Sequence, residues 1–256
     1  MKVMLTNDDG YSAEGIWALA REMAAAGWEV TIVAPEGQQS AASHAVTLHK
    51  PLRLKRASRL DEKNITVFYT NGTPSDSAML GLLEAAPDSD IMISGINGGP
   101  NLGEDVLYSG TVAAAMEGAL LGFRAISVSL SDYDQEDYRL AARFAAGLAE
   151  QLVASPLPKK TVLNVNVPPG PVEIYKGFSV VQLGTRKYKD VLQKRTDPRG
   201  GVYYWITGQL VRDDTDGDTD NSVTGRGLVS VTPIILDFTD HAMIPQCGFT
   251  DPISKP

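Results

Sequence analysis

Two hydrophobic periods alternate along the first 170 residues, and their alternation predicts the fold. Residues 3–6 (VMLT) are a short apolar run that reads as a buried strand. Residues 13–26 place Ile16, Leu19, Ala20 and Met23 at helical spacing and stop at Gly27. Residues 29–34 (EVTIVA) return to a strand pattern closed by Pro35. A strand–helix–strand opening predicts a right-handed parallel unit. The same grammar continues with a strand at 66–69, the loop Asn71-Gly72-Thr73-Pro74 and a helix at 75–86. A strand at 90–94 (DIMIS) enters a glycine-rich loop, 95–103. An alanine-rich helix follows at 111–123, apolar on most faces and therefore packed inside, then a strand at 125–130, a helix at 138–153 and a strand at 162–167 ending in Pro168-Pro169. The pattern predicts an α/β, Rossmann-like fold: a mostly parallel, doubly wound sheet with helices on both faces.

After residue 170 helical periodicity disappears. Short β-like runs take over at 178–183, 202–209 and 228–233, around a polar, acidic stretch at 212–221. The chain therefore divides into an α/β metal- and nucleotide-binding core, 1–170, and a β-rich C-terminal extension, 171–256, packed on the core and suited to self-association. No internal repeat is visible.

Composition narrows the function. Hydrophobic residues make up 43% and charged residues 21% of 256, enough for a sizeable core. A formal net charge of −8 argues against binding to a nucleic-acid duplex or an anionic membrane. An anionic small substrate stays open, because a local cation reverses the field inside one pocket. The one cysteine, Cys247, forms no internal disulfide and no thiolate metal site, which suits a cytoplasmic protein. No secretory signal is visible, and no run is long and apolar enough for a membrane span.

The chemistry concentrates at strand ends, where ligands bind in such sheets. The first strand runs into Asn7-Asp8-Asp9-Gly10. Two adjacent carboxylates at a buried strand end lose solvation and repel each other, so they call for a positive charge. The same tetrapeptide is also a common turn composition. The second strand leads to Gln38-Gln39-Ser40, and the DIMIS strand leads to Asn97. Asp8, Asp9, Ser40 and Asn97 make a hard-oxygen set suited to Mg²⁺, Mn²⁺ or Ca²⁺. Ser109-Gly110-Thr111 precedes the alanine-rich helix and offers free N–H groups and hydroxyls for a phosphate, or else plain N-capping. There is no nucleotide-triphosphate P-loop, no G-x-G-x-x-G and no G-x-S-x-G elbow, and only His44, His49 and His241 are available as imidazole bases. The acidic run Asp213, Asp214, Asp216, Asp218, Asp220 lacks the glycine and glutamate of a calcium loop and reads as a solvated hairpin tip.

Together these segments resemble the SurE survival-protein family of metal-dependent nucleoside monophosphate phosphatases. The resemblance is carried by VMLTNDDGYSAEGI, VAPEGQQSAASHAVTL, NGTPSDS, SGINGGPNLGEDVLYSGTVAAAMEG, LNVNVPP and GLVSVTPIILDFTD, and covers most of the chain. It implies one divalent cation per subunit, Mg²⁺ or Mn²⁺, on Asp8, Asp9, Ser40 and Asn97. It also implies substrate phosphate held by Asn97, Ser109, Gly110 and Thr111. The implied activity is 5′-nucleotidase, with 3′-nucleotidase and exopolyphosphatase activities beside it, in a homodimer or homotetramer. Gln39 departs from the arginine that many members carry before the ligand serine.

The expected reaction is phosphomonoester hydrolysis without a covalent enzyme intermediate, with Asp8 and Asp9 catalytic and residues 72–76 lining the nucleoside side. Which aspartate also moves a proton stays open. An aspartyl-phosphate mechanism needs Asp-x-Asp, whereas Asp8 and Asp9 are adjacent. A receiver module needs a further phosphoacceptor Asp and a Lys at later strand ends, where this chain has Asn97 and Ser131-Asp132. A nucleotide-binding regulator without turnover remains the third alternative.

Overall fold

The computed structural model describes residues 1–134, 136–213 and 217–248. Strand β1 (Lys2–Thr6) is followed by helix α1 (Glu14–Ala25) and strand β2 (Glu29–Pro35). A long irregular segment leads to β3 (Leu54–Arg56) and β4 (Ile65–Thr70). Helix α2 (Pro74–Leu80) continues as a π-helical turn over Gly81–Ala85. Then come β5 (Ile91–Asn97), α3 (Gly110–Leu120), β6 (Arg124–Leu130), α4 (Arg139–Ala154) and β7 (Thr161–Val167). The remainder forms β8 (Phe178–Val180), β9 (Arg186–Thr196), β10 (Val202–Asp213), α5 (Asp220–Gly225) and β11 (Val229–Ile235).

Nine strands build one sheet in the order β3-β4-β2-β1-β5-β6-β7-β11-β8. β4, β2, β1, β5, β6 and β7 run parallel, while β3 and β11 enter antiparallel. The chain winds outward from β1 to β2 and β4, then returns to β5 on the other side of β1. That reversal leaves a crevice beyond the carboxyl ends of β1 and β5.

Strand residues alternate between two helical layers, as the two-residue period of a pleated strand requires. Val3, Leu5, Ile91 and Ile93 pack with α1 and α4, whereas Met4 and Met92 face the other side with Ala78 of α2 and Ala114 of α3. Helix α3 is buried from Gly110 through Met116, as its apolar sequence predicts.

The β-rich region after 170 is joined to the core through the sheet itself. β11 pairs with β7 and β8 with β11, so these strands complete the central sheet. Among the described residues, β9 and β10 stand apart as an antiparallel two-stranded hairpin. The charged β9 segment carries no strand period of its own and forms against β10. In the acidic run Asp218 is exposed, as a solvated tip requires, while Asp220 departs from that reading. Asp214 and Asp216 lie outside the described residues. Asp220, however, is fully buried and accepts N–H bonds from Gly103 (2.9 Å), Gly184 (2.7 Å) and Asn221 (2.8 Å). It clasps the loop after β5, the approach to β9 and the start of α5.

Replacing Asp220 by alanine strands those buried donors. The expected cost is about 3 kcal/mol, or a thermal midpoint lower by roughly 6–12 °C. An unchanged melting curve for Asp220→Ala would show that this clasp does not hold the region together.

Candidate active site

Asn7 shapes the turn that leaves β1. Its buried amide donates to the Gly10 carbonyl and accepts from the Gly10 N–H, both at 3.0 Å. Gly10 has φ +104°, a conformation that a residue with Cβ adopts only under strain. Tyr11 N–H then bonds to Pro35 O (3.0 Å), and Gln39 N–H to Asp8 O (2.7 Å). These bonds tie the first strand end to the loop that carries Gln38 and Ser40.

Asp8, Asp9, Ser40 and Asn97 line one cavity of about 450 Å³, together with Gln38, Gly98, Gly99 and Ser109. The cavity occupies the crevice between the β1 and β5 ends. Asn97 is the last residue of β5 rather than a loop residue, and a bulge against β6 between Ser94 and Asn97 re-aims it. Its Nδ2 donates to Gly99 O (2.8 Å), which leaves Oδ1 as the atom available to a cation.

The two aspartates are held without a basic partner among the described residues. Asp8 is 7% exposed, and burial pushes its carboxyl up to about 6; the Asp9 charge adds to that rise, and a Thr111 hydrogen bond opposes it. The Asp9 carboxyl is also raised, chiefly by burial, against hydrogen bonds from the Gly98 backbone and Gln38. Nor does any group of three or more His, Cys, Asp or Glu gather among the described residues. A pair of desolvated carboxylates with amide and hydroxyl oxygens fits a hard divalent cation, not a thiolate or imidazole metal.

Ser109, Gly110 and Thr111 divide into different tasks. The Thr111 hydroxyl donates to Asp8 Oδ1 at 2.6 Å, and its backbone N–H also favours the Asp8 anion. A Cβ at Gly110 would sit 3.0 Å from Asp8 Cβ and 3.1 Å from Oδ2, so glycine lets the helix start close on that carboxylate. The N-terminus of α3 therefore cradles Asp8 first. Ser109 lines the cavity, and its oxygen caps α3 by accepting from Val112 N–H at 3.1 Å.

One expectation changes. Residues 72–76 do not line the cavity; Asp76 instead caps α2 at Thr73 and holds Thr47 N–H at 2.9 Å. In keeping with a solvated or structural role, none of the three histidines lines the cavity: His44 meets Glu117 (2.8 Å) and His241 meets Asp237 (2.7 Å). The cavity also contains Asn101, Asp105 and Tyr108, from the segment after β5, and Tyr133 and Tyr188, which lie outside every segment that carries the resemblance. Asn101 is fixed by a buried network: Asn166 accepts from its N–H (2.8 Å), Asn164 donates to its carbonyl (2.8 Å), and its own amide donates to Ser129 (2.7 Å). Asn164 and Asn166 share one face of β7 by the two-residue period, so they hold the glycine-rich loop from below.

The Asp8 carboxyl keeps its proton in the metal-free fold over a range where the unfolded chain has released it. Metal-free protein should therefore lose up to roughly 3 kcal/mol of stability as pH rises from about 4 through 6. Asp8→Asn should melt higher than wild type at pH 7.5 in chelator, with the difference closing near pH 4. Equal midpoints at pH 7.5 would contradict the desolvated carboxylate.

The survival protein SurE family model matches residues 3–190. A curated relative from Natranaerobius thermophilus, named 5′-nucleotidase SurE, is 47% identical over 246 residues, 94% of this chain and 95% of that protein. Another of that name from Anaeromyxobacter dehalogenans is 48% identical over 250 residues, covering 96% and 94%. The crystal structure of the SurE protein from Aquifex aeolicus superposes with a TM-score of 0.82 at 34% identity, covering 96% of this chain and 98% of that one. The family model spans most of the chain, both relatives cover nearly its full length, and the fold superposes on a solved member: this chain belongs to the SurE family.

Proposed function

We propose that this chain is a divalent-metal-dependent 5′-nucleotidase that releases phosphate from nucleoside monophosphates. The observation that carries the reading is the convergence of a buried and a half-buried carboxylate, with no basic partner among the described residues, with Asn97, Ser40 and Ser109 on one cavity at the switch point of the sheet. Curated relatives named 5′-nucleotidase support the substrate class. Asp8, Asp9, Ser40 and the Asn97 amide oxygen would hold one Mg²⁺ or Mn²⁺. When bound, such a cation supplies Lewis acidity toward phosphate oxygens and toward water.

The chain's own groups do the rest. Thr111 and the first turn of α3 aim Asp8 and oppose the burial that raises its carboxyl. Asp9, the more open of the two, is placed to take a proton from attacking water. Ser109 meets the phosphate at the cavity wall, while Gly110 and Thr111 act through Asp8. The Asn97 side chain stands between the cation corner and the Gly98-Gly99 backbone, and its contact with phosphate belongs to the same proposal. 3′-Nucleotides and polyphosphate present the same terminal phosphate and are further substrates on this reading.

Phosphate release from a panel of nucleotides should vanish in chelator and return with Mg²⁺ or Mn²⁺. Asp9→Asn should lower metal-restored turnover by at least about 10²-fold, the scale of losing a positioned acid–base group. Near wild-type turnover in that variant would sink the mechanism.

Self-association belongs to the same proposal, as a homodimer or homotetramer joined through the β9–β10 hairpin. Val202, Tyr204, Ile206 and Leu192 lie on one face of it, and all are exposed in the isolated chain. An isolated two-stranded hairpin is marginal in water, and an apolar face of this kind calls for a cover. Light scattering should show a multimer that Leu192→Glu with Ile206→Lys shifts toward monomer; a monomeric wild type would overturn it. No helix among the described residues is long and apolar enough to cross a membrane. A cytoplasmic location is the accompanying proposal.

A further inference from the structure

The cavity is several-fold larger than a phosphate and one cation require, and falls within the range of about 300–1,000 Å³ of sites for whole small molecules. Three tyrosines also line it. Tyr108 comes from the segment before α3, Tyr133 from the segment after β6, and Tyr188 from β9. They stay 67%, 65% and 38% exposed although all three line one concavity. Single exposed tyrosines are ordinary; three from separate segments around one cavity are open ring surface waiting for a flat ligand.

Two of the rings are held in place. The Tyr133 ring lies directly against Gly99, where a Cβ would collide with its Cδ1 and Cε1. The Tyr188 hydroxyl donates to Asp105 Oδ2 at 2.7 Å, and the same oxygen meets Arg186 Nη1 at 2.7 Å. Arg186 N–H donates to Glu104 at 2.6 Å, and the guanidinium sits 5.7 Å from the Tyr188 ring centroid. Burial and the Asp105 bond raise the Tyr188 phenol well above its ordinary range. The hairpin that stands outside the sheet thus delivers one wall of the cavity.

We propose that Tyr108, Tyr133 and Tyr188 form a nucleobase subsite in which the substrate base stacks while its phosphate occupies the carboxylate corner. Asp105 and Arg186 are positioning residues that fix the Tyr188 ring. The subsite rests on the nucleotidase reading above and adds to it how the nucleoside is recognised. Stacking uses a π-face that every base has, so recognition is base-tolerant, with the larger purines ahead of pyrimidines.

The test compares adenosine 5′-monophosphate with ribose 5-phosphate, which has the phosphate and pentose but no base, at the same metal concentration. Tyr188→Leu and Tyr133→Leu should each lower the kcat/KM ratio of nucleotide to sugar phosphate by about tenfold, through KM. Tyr188→Phe keeps the ring and should hold that ratio within about threefold of wild type. Parallel losses on both substrates, or a wild type with no preference for the nucleotide, would overturn the subsite. Should wild type release phosphate from neither compound, the nucleotidase reading fails instead. The subsite is then read by saturation-transfer NMR with adenosine. Transfer to the adenine protons that disappears in Tyr188→Leu supports it, and no transfer in wild type overturns it.

Discussion

Two neighbouring carboxylates at the carboxyl end of a central parallel strand set the terms for the rest of this molecule. Asp8 and Asp9 sit where burial raises both of their proton affinities and where no basic side chain among the described residues compensates them. The fold tolerates this through local dipoles. Asn7 closes the turn beneath them, and the start of α3 aims a hydroxyl and a backbone N–H at Asp8. What remains unmatched faces the cavity, where a cation and a phosphate would complete the balance. The site is thus a place where stability has been given up locally for chemistry.

Polar hubs beneath and beside the cavity carry this arrangement into the rest of the chain. Asn164 and Asn166 on β7 grip the backbone of Asn101, so the glycine-rich loop rests on side chains that are themselves buried. Asp220 collects N–H groups from three segments, and Asp105 gathers Arg186 and Tyr188 from the hairpin. A satisfied buried network is rigid, because each unpaired alternative costs desolvation. Through these hubs the C-terminal part of the chain, which adds β8 and β11 to the sheet, also shapes the catalytic crevice.

Much of this was readable from residues alone. The strand and helix alternation up to β7 follows from periods of two and 3.6 residues, and boundaries shift by only a few positions. The short β3, with one partly buried and two exposed residues, carries no such period. Neither does β9, whose segment RKYKDVLQKRT forms only as the partner of β10. At the site, the convergence of Asp8, Asp9, Ser40 and Asn97 was legible because each ends or follows a strand of a parallel sheet. The division of labour within Ser109-Gly110-Thr111 was not. An N-terminal helical turn suits a phosphate or a carboxylate equally, and only the packing shows that Asp8 has taken it.

By itself the sequence determined the layers, the parallel core and the oxygen-rich strand ends, since periodicity and turn chemistry act between residues a few positions apart. Tertiary structure decided where long-range partners go. It buried Asp220, which lies in an acidic run that reads as solvated, and it turned Asn164 and Asn166 from polar strand residues into supports. It also brought Tyr108, Tyr133 and Tyr188 to a common wall across about 80 residues of chain. No local pattern encodes such meetings, because their energy comes from contacts that exist only once the sheet has assembled.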